Sequence, residues 1–159
     1  GDLSVLPHAK HLVIVEAKMF SKLSPGVKNA SYYNQAARNV ACIAEVLQRG
    51  NKKPDKLPSL GFYVLAPKSQ IDEGIFKRQM TREHIKKTVA RRTKEHEASK
   101  DDWWQNWFMP TIDKIDIQTI NWEEIITKIK ETDSSSGQEL SYFYDLCLQF
   151  NRLKAKRKL

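Results

Sequence analysis

The apolar run at residues 11–15 and the charged triplet that follows it constrain the fold of this chain more than any other segment. The run, HLVIV, contains two valines and an isoleucine, which predicts a buried β-strand over residues 11–19. A buried strand normally stops before charged residues, yet Glu16, Ala17 and Lys18 follow directly. Because side chains alternate along a strand, Glu16 and Lys18 are predicted to lie side by side on one face.

Periodic apolar patterns elsewhere predict an α/β fold. Residues 2–6 alternate between polar and apolar side chains, which predicts a strand that forms a hairpin with residues 11–19. A helix is predicted over residues 31–48, and a buried strand over 60–66 would pair in parallel with the first through a right-handed crossover. Further helices are predicted over 71–80, 81–97, 121–130 and 138–153, with a short edge strand over 112–117. The fold class is therefore α/β, with a mixed central sheet flanked by helices.

Length and composition favour one intracellular domain. With 159 residues, 40% of them hydrophobic, the chain can bury a core, which predicts a single domain over 1–159 with a C-terminal helix and basic tail at 138–159. No apolar run approaches the roughly 20 residues of a membrane-spanning helix, and no signal peptide is visible. Cys42 and Cys147 are not closely spaced, which favours reduced thiols and a cytoplasmic location.

The chain carries a formal net charge of +8, which favours a polyanionic partner, with nucleic acid first and an acidic membrane surface second. Eight basic residues and one acidic residue fall between Lys77 and Lys94. Arg82, Lys86 and Arg92 recur there close to helical spacing, so together with Lys77 they could form a positive ridge that contacts phosphates. A solvated helix face that only aids solubility predicts the same pattern, and the sequence leaves both interpretations open.

Two carboxylates are predicted to converge at the open end of the hairpin. Asp2 begins the first strand and Glu16 ends the second, so the two side chains should be near neighbours. Converging carboxylates repel each other unless a cation lies between them, which predicts a divalent metal site. Oxygen ligands without convergent histidines favour Mg²⁺ or Mn²⁺ over Zn²⁺. The alternative for Glu16 and Lys18 is a surface ion pair, worth about 0–1 kcal/mol.

A further signal is the order of Asp2, the triplet at 16–18 and the polar residues Gln35 and Arg38 on the next predicted helix. Asp2 and the triplet resemble the metal-binding core of the PD-(D/E)xK, or restriction-endonuclease-like, nuclease superfamily. Gln35 and Arg38 resemble the glutamine-containing helix motif of many members, which implies that Arg38 contacts nucleic acid. The order hairpin, helix, apolar strand is also similar to the central part of that fold, so the resemblance covers residues 2–66.

The resemblance implies a Mg²⁺-dependent endonuclease, with Mn²⁺ as a substitute, that hydrolyses phosphodiester bonds in nucleic acid, with DNA favoured over RNA. It implies that Asp2, Glu16 and the main-chain carbonyl of Ala17 hold the metal ion. It also implies that Lys18 orients the attacking water or stabilises charge on the phosphorane oxygens, and that Gln35 positions the lysine or the phosphate.

The chain departs from this family at its start. Gly1 stands where a proline usually precedes the aspartate, and the family's N-terminal helix is absent, so we expect a fragment with further segments or domains upstream. Loss of that helix would remove part of the sheet or a ligand, and such a fragment can be inactive. A homodimer is compatible with double-strand cleavage, which usually requires two active sites. The alternatives are a catalytically inactive nucleic-acid-binding module and a partner-binding module with the same fold.

Overall fold

The computed structural model describes residues 3–26, 28–95 and 101–156, with side chains up to residue 151. The strands are β1 (His11–Ala17), β2 (Ser59–Ala66) and β3 (Asp116–Asn121). The helices are α1 (Gln35–Arg49), α2 (Lys68–Asp72), α3 (Arg82–Lys94), α4 (Asp101–Trp103), α5 (Met109–Lys114), α6 (Trp122–Thr132) and α7 (Ser134–Lys156). A π-helical segment, Trp104–Phe108, joins α4 to α5, and 3-10 turns occupy Lys28–Ala30 and Pro54–Lys56. Across these ranges no helix combines the length and the apolar character needed to cross a bilayer.

The three strands form one parallel sheet in the order β1-β2-β3, and helices flank it. Two hydrogen bonds fix the register of β1 and β2: Ser59 N donates to Lys10 O at 3.3 Å, and Lys18 N donates to Leu65 O at 2.7 Å. Both bonds fit one parallel ladder in which Lys18 faces Ala66. The predicted α/β class and the parallel pairing of these two strands are confirmed, whereas the predicted mixed sheet is wrong.

The expected hairpin is absent from the described residues, because residues 3–6 have no strand conformation. Val5 instead packs against the end of α1, where its N donates to Val46 O at 3.4 Å. Gly50 permits this close approach, since a Cβ there would lie 2.5 Å from Cγ1 of Val5. The alternating pattern therefore marks one buried side chain rather than a strand. Asp2, the expected partner of Glu16, lies outside the described residues.

The chain forms two compact units. Unit 1 contains the described residues of Gly1–Val15, Leu23–Tyr63 and Lys77–Gln118, and unit 2 contains those of Glu16–Lys22, Val64–Phe76 and Thr119–Leu159. The single domain expected over residues 1–159 stays a prediction.

Helix α1 forms the centre of unit 1, where it packs against α3 and the π-helical segment. The helix begins after Asn34 rather than at Ser31, because Asn34 Oδ1 accepts a hydrogen bond from Ala37 N at 3.2 Å. The apolar residues that recur at helical spacing in the sequence of α1 are all fully buried: Ala36, Val40, Ile43, Ala44 and Leu47.

Helices α6 and α7 pack against each other in unit 2 and bury Ile126 and Tyr144. The predicted start of α6 is confirmed, since Asn121 Oδ1 accepts a hydrogen bond from Glu124 N at 2.7 Å. A C-terminal helix is also present, but it begins at Ser134 rather than at 138. Residues 157–159 of the predicted basic tail lie outside the described residues.

Candidate functional site

Glu16 and Lys18 form an ion pair at the carboxyl end of β1. Lys18 Nζ lies 3.0 Å from Glu16 Oε1, and the side chains of the lysine and the glutamate are 7% and 22% exposed, respectively. The predicted placement of both side chains on one face of the strand is confirmed. In open parallel sheets, ligands bind at the carboxyl ends of the strands. The pair lies at such a carboxyl end.

The other face of β1 is open to solvent. Val13 is 42% exposed and Val15 is 51% exposed, while the opposite face of the strand is half-buried, so the prediction of a fully buried strand is wrong. The cause is the period of two along a strand, which directs these valines away from the face that carries Glu16. A continuous apolar run could not distinguish a strand covered on both sides from one covered on a single side.

The carbonyl groups of Ala17 and Lys18, at the end of β1, have different surroundings. Lys18 directs its N–H towards Leu65 of β2, and because the N–H and C=O of one trans peptide point in opposite directions, the C=O of Ala17 points away from β2, towards the outer edge of β1. The carbonyl of Lys18 accepts a hydrogen bond from Trp122 Nε1 at 3.1 Å. The orientation of the Ala17 carbonyl is compatible with the metal-ligand role that the resemblance implies.

Gln70 anchors the loop that follows Lys18. Its side chain is 2% exposed, and both ends of its amide are used: Oε1 accepts from Phe20 N at 3.1 Å, and Nε2 donates to Ser21 O at 2.6 Å. Phe20 adopts a left-handed backbone conformation, with φ of 61°, which is uncommon for a residue other than glycine. Gln70 was not predicted as a site residue, because a glutamine in a polar stretch carries no sign of a partner about 50 residues away.

The start of α6 carries a second set of contacts. Glu123 Oε1 accepts from the Tyr144 hydroxyl at 2.8 Å, and Glu123 Oε2 accepts from Lys68 N at 3.0 Å. The rings of Trp122 and Tyr144 lie 6.3 Å apart between centroids. The sequence identified this region as a helix start, which is confirmed, but gave no sign that its first two side chains hold other elements of unit 2.

The predicted residues Gln35 and Arg38 belong to unit 1. Gln35 Oε1 accepts from Ser24 N at 3.0 Å, and Gln35 N donates to Ser24 O at 3.0 Å, so this residue anchors the loop before α1. Its role in positioning lysine or phosphate stays a prediction. Arg38 lines a cavity of 310 Å³, and the other lining residues include Tyr33, Cys42, Arg92 and Trp103.

Positive charge faces the hydroxyl of Tyr33 in this cavity. Burial raises the pKa of Tyr33, and the charges of Arg92 and Arg38 oppose that rise. The guanidinium carbon of Arg92 lies 6.0 Å from the Tyr33 ring centroid, and its Nη1 lies 3.8 Å from Glu95 Oε2. Guanidinium groups next to aromatic rings are suited to contact phosphates and to stack on bases.

The remaining members of the predicted ridge have protein partners or face solvent. Arg82 donates from Nη1 to Ile112 O, and from Nη2 to Ile115 O at 2.6 Å, so it holds the end of α5. Lys86 Nζ pairs with Asp113 Oδ1 at 2.9 Å, and Lys77 is exposed. These contacts give Arg82 and Lys86 a structural role that does not require nucleic acid. The binding of these two residues to phosphates stays a prediction.

The described side chains provide only part of the expected metal site. Within residues 3–26, 28–95 and 101–151, no group of three or more His, Cys, Asp or Glu side chains is placed to hold a metal ion. The expected set consists of the Glu16 carboxylate, the Ala17 carbonyl and Asp2, and Asp2 is not among the described residues. The oxygen donors that are described fit Mg²⁺ or Mn²⁺ by type.

Comparisons of the chain with known proteins found no match. No protein-family model matches the chain. No curated protein matches it, and no solved structure does.

Proposed function

We propose that this chain is a Mg²⁺-dependent endonuclease of the PD-(D/E)xK type that hydrolyses phosphodiester bonds in DNA. The observation that carries the proposal is the Glu16–Lys18 pair, a carboxylate and an ammonium held 3.0 Å apart at the carboxyl end of a parallel strand. The sequence resemblance adds Asp2 and Gln35 to the same motif. The net charge of +8 favours a polyanionic substrate.

Glu16, the Ala17 carbonyl and Asp2 would hold the metal ion. A carboxylate has two oxygens, so one oxygen of Glu16 can accept from Lys18 while the other binds the ion. The Ala17 carbonyl points away from β2 and is not consumed by that strand pairing. When bound, Mg²⁺ polarises a phosphoryl oxygen and lowers the pKa of a coordinated water.

Lys18 would stabilise the negative charge that develops on the phosphate. Its ammonium can donate hydrogen bonds to a non-bridging oxygen and to Glu16 at the same time, because it carries three N–H groups. The side chain is 7% exposed, so its charge is less screened by water than that of a surface lysine. A donor fixed before the reaction stabilises the transition state without the cost of reorganisation.

Arg38 and Arg92 in unit 1 would contact the DNA. They line the 310 Å³ cavity together with Tyr33 and Trp103, which combines positive charge with aromatic surface. Such a surface binds nucleic acid through phosphate contacts and base stacking without requiring a particular sequence.

The decisive experiment is nicking of a supercoiled plasmid with Mg²⁺, with Mn²⁺, and with EDTA. We expect cleavage with either metal and none with EDTA, and a fall in rate of about 10²–10³-fold for Lys18→Ala, the range for removal of one transition-state donor. Lys22→Ala is the matched control, because Lys22 is exposed and lies four residues further along the chain. Equal nicking by wild type and Lys18→Ala would eliminate Lys18 as a catalytic group. A parallel assay on RNA of the same sequence tests the preference for DNA.

A second candidate function is a nucleic-acid-binding module without catalysis. The observation that favours it is the arginine and tyrosine cavity in unit 1, which needs no metal ion in order to bind phosphate. This candidate predicts DNA affinity that falls steeply with salt, together with no nicking under any metal. Uptake of Mn²⁺ that depends on Glu16 would contradict it.

A further inference from the structure

The end of β1 contains a hydrogen bond that the sheet itself cannot make. Lys18 faces Ala66 in the β1–β2 ladder, so the next donor to the Lys18 carbonyl would be the N–H of residue 67. Residue 67 is proline, which has no N–H. Trp122 Nε1 donates to this carbonyl at 3.1 Å instead. The indole thus supplies to this carbonyl a hydrogen bond that β2 cannot supply.

Trp122 is itself held by its neighbours. Its ring lies 6.3 Å from that of Tyr144, whose hydroxyl donates to Glu123 Oε1 at 2.8 Å. Glu123 Oε2 accepts from the N–H of Lys68, the residue directly after Pro67. The first two residues of α6 therefore hold the ends of two strands. Trp122 holds the end of β1 through Lys18, and Glu123 holds the end of β2 through Lys68.

The loop after Lys18 is held independently. Gln70 binds the N–H of Phe20 and the carbonyl of Ser21, and its side chain is 2% exposed. The backbone of Lys18 is consequently fixed by its own N–H on Leu65, by its carbonyl on Trp122, and by the anchored loop that follows. A lysine side chain is long and flexible, so a fixed backbone is required if Nζ is to stay beside Glu16.

We infer that Trp122 is a positioning residue that orients Lys18 relative to Glu16 through the hydrogen bond to the Lys18 carbonyl. The kinetic consequence rests on the proposed nuclease function, whereas the positional consequence does not. A displacement of about 1 Å in a reacting group can cost about 100-fold in rate. Loss of the indole N–H should therefore lower catalysis while leaving substrate binding intact.

The test is Trp122→Phe, with Trp104→Phe as the matched control. Trp104 belongs to unit 1 and contacts the Phe108 ring at 4.7 Å between centroids, so the same substitution there keeps the hydrogen bond from Trp122 to the Lys18 carbonyl. We expect kcat for Mg²⁺-dependent nicking to fall by about 10–100-fold in Trp122→Phe, as for other residues that orient a metal-site group. KM should stay unchanged, and Trp104→Phe should retain the wild-type kcat. Equal kcat values for the two variants would overturn the inference.

A second readout separates this inference from the proposed function. The NMR signal of the Lys18 Cε, assigned by its loss in Lys18→Ala, should move in Trp122→Phe and stay in place in Trp104→Phe. If the wild type cleaves no nucleic acid, the proposed function fails and this signal alone decides on the positioning role. An unmoved signal in a folded Trp122→Phe would refute that role.

Replacement of Trp122 by benzothienylalanine covers the case in which Trp122→Phe does not fold. That side chain keeps the bicyclic shape and has sulfur in place of the N–H, so it removes only the hydrogen bond. The same shift of the Lys18 signal supports the inference, and an unchanged signal opposes it.

Discussion

Asn34 Nδ2 lies 3.1 Å from His84 Nε2, while Oδ1 of the same asparagine accepts from Ala37 N at the start of α1. The amide oxygen is thereby assigned as the acceptor, so Nδ2 is the donor and His84 Nε2 must accept. A histidine can accept a hydrogen bond only in its neutral form. Burial lowers the pKa of His84, and the charges of Arg78 and Lys87 lower it further.

This relationship predicts a loss of stability on acidification. Because the pKa of His84 is lower in the folded state than the value of about 6.5 for an unperturbed histidine, the unfolded state binds the proton more readily between those two values. The free energy of unfolding should therefore decrease as the pH falls through about 6.5 towards the folded-state pKa. Denaturant unfolding at several values between pH 8 and pH 5 measures this slope.

The variant that tests this prediction is His84→Gln, which should show a shallower dependence on pH over that window because it has no imidazole to protonate. His8→Gln is the matched control, since His8 is exposed. The prediction fails if the slope in His84→Gln is the same as in the wild type.

The ion pair between Glu16 and Lys18 predicts that substitutions of these two residues have coupled effects on stability. Glu16→Gln leaves a nearly buried ammonium without this carboxylate, so the free energy of unfolding should fall by about 1–3 kcal/mol. The double variant Glu16→Gln with Lys18→Met should lose less than the sum of the single losses, because the charge is removed together with its partner. Denaturant titrations of all four proteins measure the coupling. Additive losses would show that the two side chains stabilise the fold independently.

Metal binding should depend on Glu16. Calorimetric titration with Mn²⁺ is expected to show binding to the wild type and none to Glu16→Ala, because that variant lacks the carboxylate ligand. Glu45→Ala is the control, since Glu45 is a glutamate of unit 1 that pairs with Arg49 at 3.1 Å. Identical Mn²⁺ isotherms for wild type and Glu16→Ala would remove Glu16 from the metal site.

Arg82 and Arg92 should behave differently, although both were predicted to contact nucleic acid. Arg82→Lys keeps the charge but loses the paired contacts to Ile112 and Ile115, so the free energy of unfolding should fall by about 1–3 kcal/mol with DNA affinity retained. Arg92→Gln should weaken DNA binding and reduce the slope of log affinity against log salt by about 1. Fluorescence anisotropy over a salt series checks both variants. Loss of affinity in Arg82→Lys would return this residue to the DNA-binding surface.

Local patterns in the sequence were sufficient to predict that β1, α1, β2 and α6 exist, because each contains an apolar run or a clear apolar period. The ends were less predictable, since α1 begins after Asn34 rather than at Ser31. The prediction of a hairpin was wrong because alternation over five residues is too short to distinguish a strand from a single buried side chain such as Val5. The third strand also lies later than predicted, at Asp116–Asn121. Residues 112–114, predicted as part of that strand, belong instead to α5, where Pro110 is favourable near the start of the helix.

The candidate site was predictable only where it depends on neighbours in sequence. Glu16 and Lys18 share a face because they lie two residues apart on a strand. Trp122 and Gln70 reach the same segment from about 104 and 50 residues away, respectively. Contacts over such distances depend on tertiary packing, which no local pattern encodes, so these two residues were missed.

The proline at position 67 makes the residues tolerated at positions 67 and 122 depend on each other. A residue with a main-chain N–H at 67 would introduce a competing donor for the Lys18 carbonyl, and a non-donor at 122 would remove the indole hydrogen bond, which a main-chain N–H at 67 could replace. The tolerated substitutions at one position thus depend on which residue occupies the other, and pairwise replacement should reveal compensation that neither single change predicts.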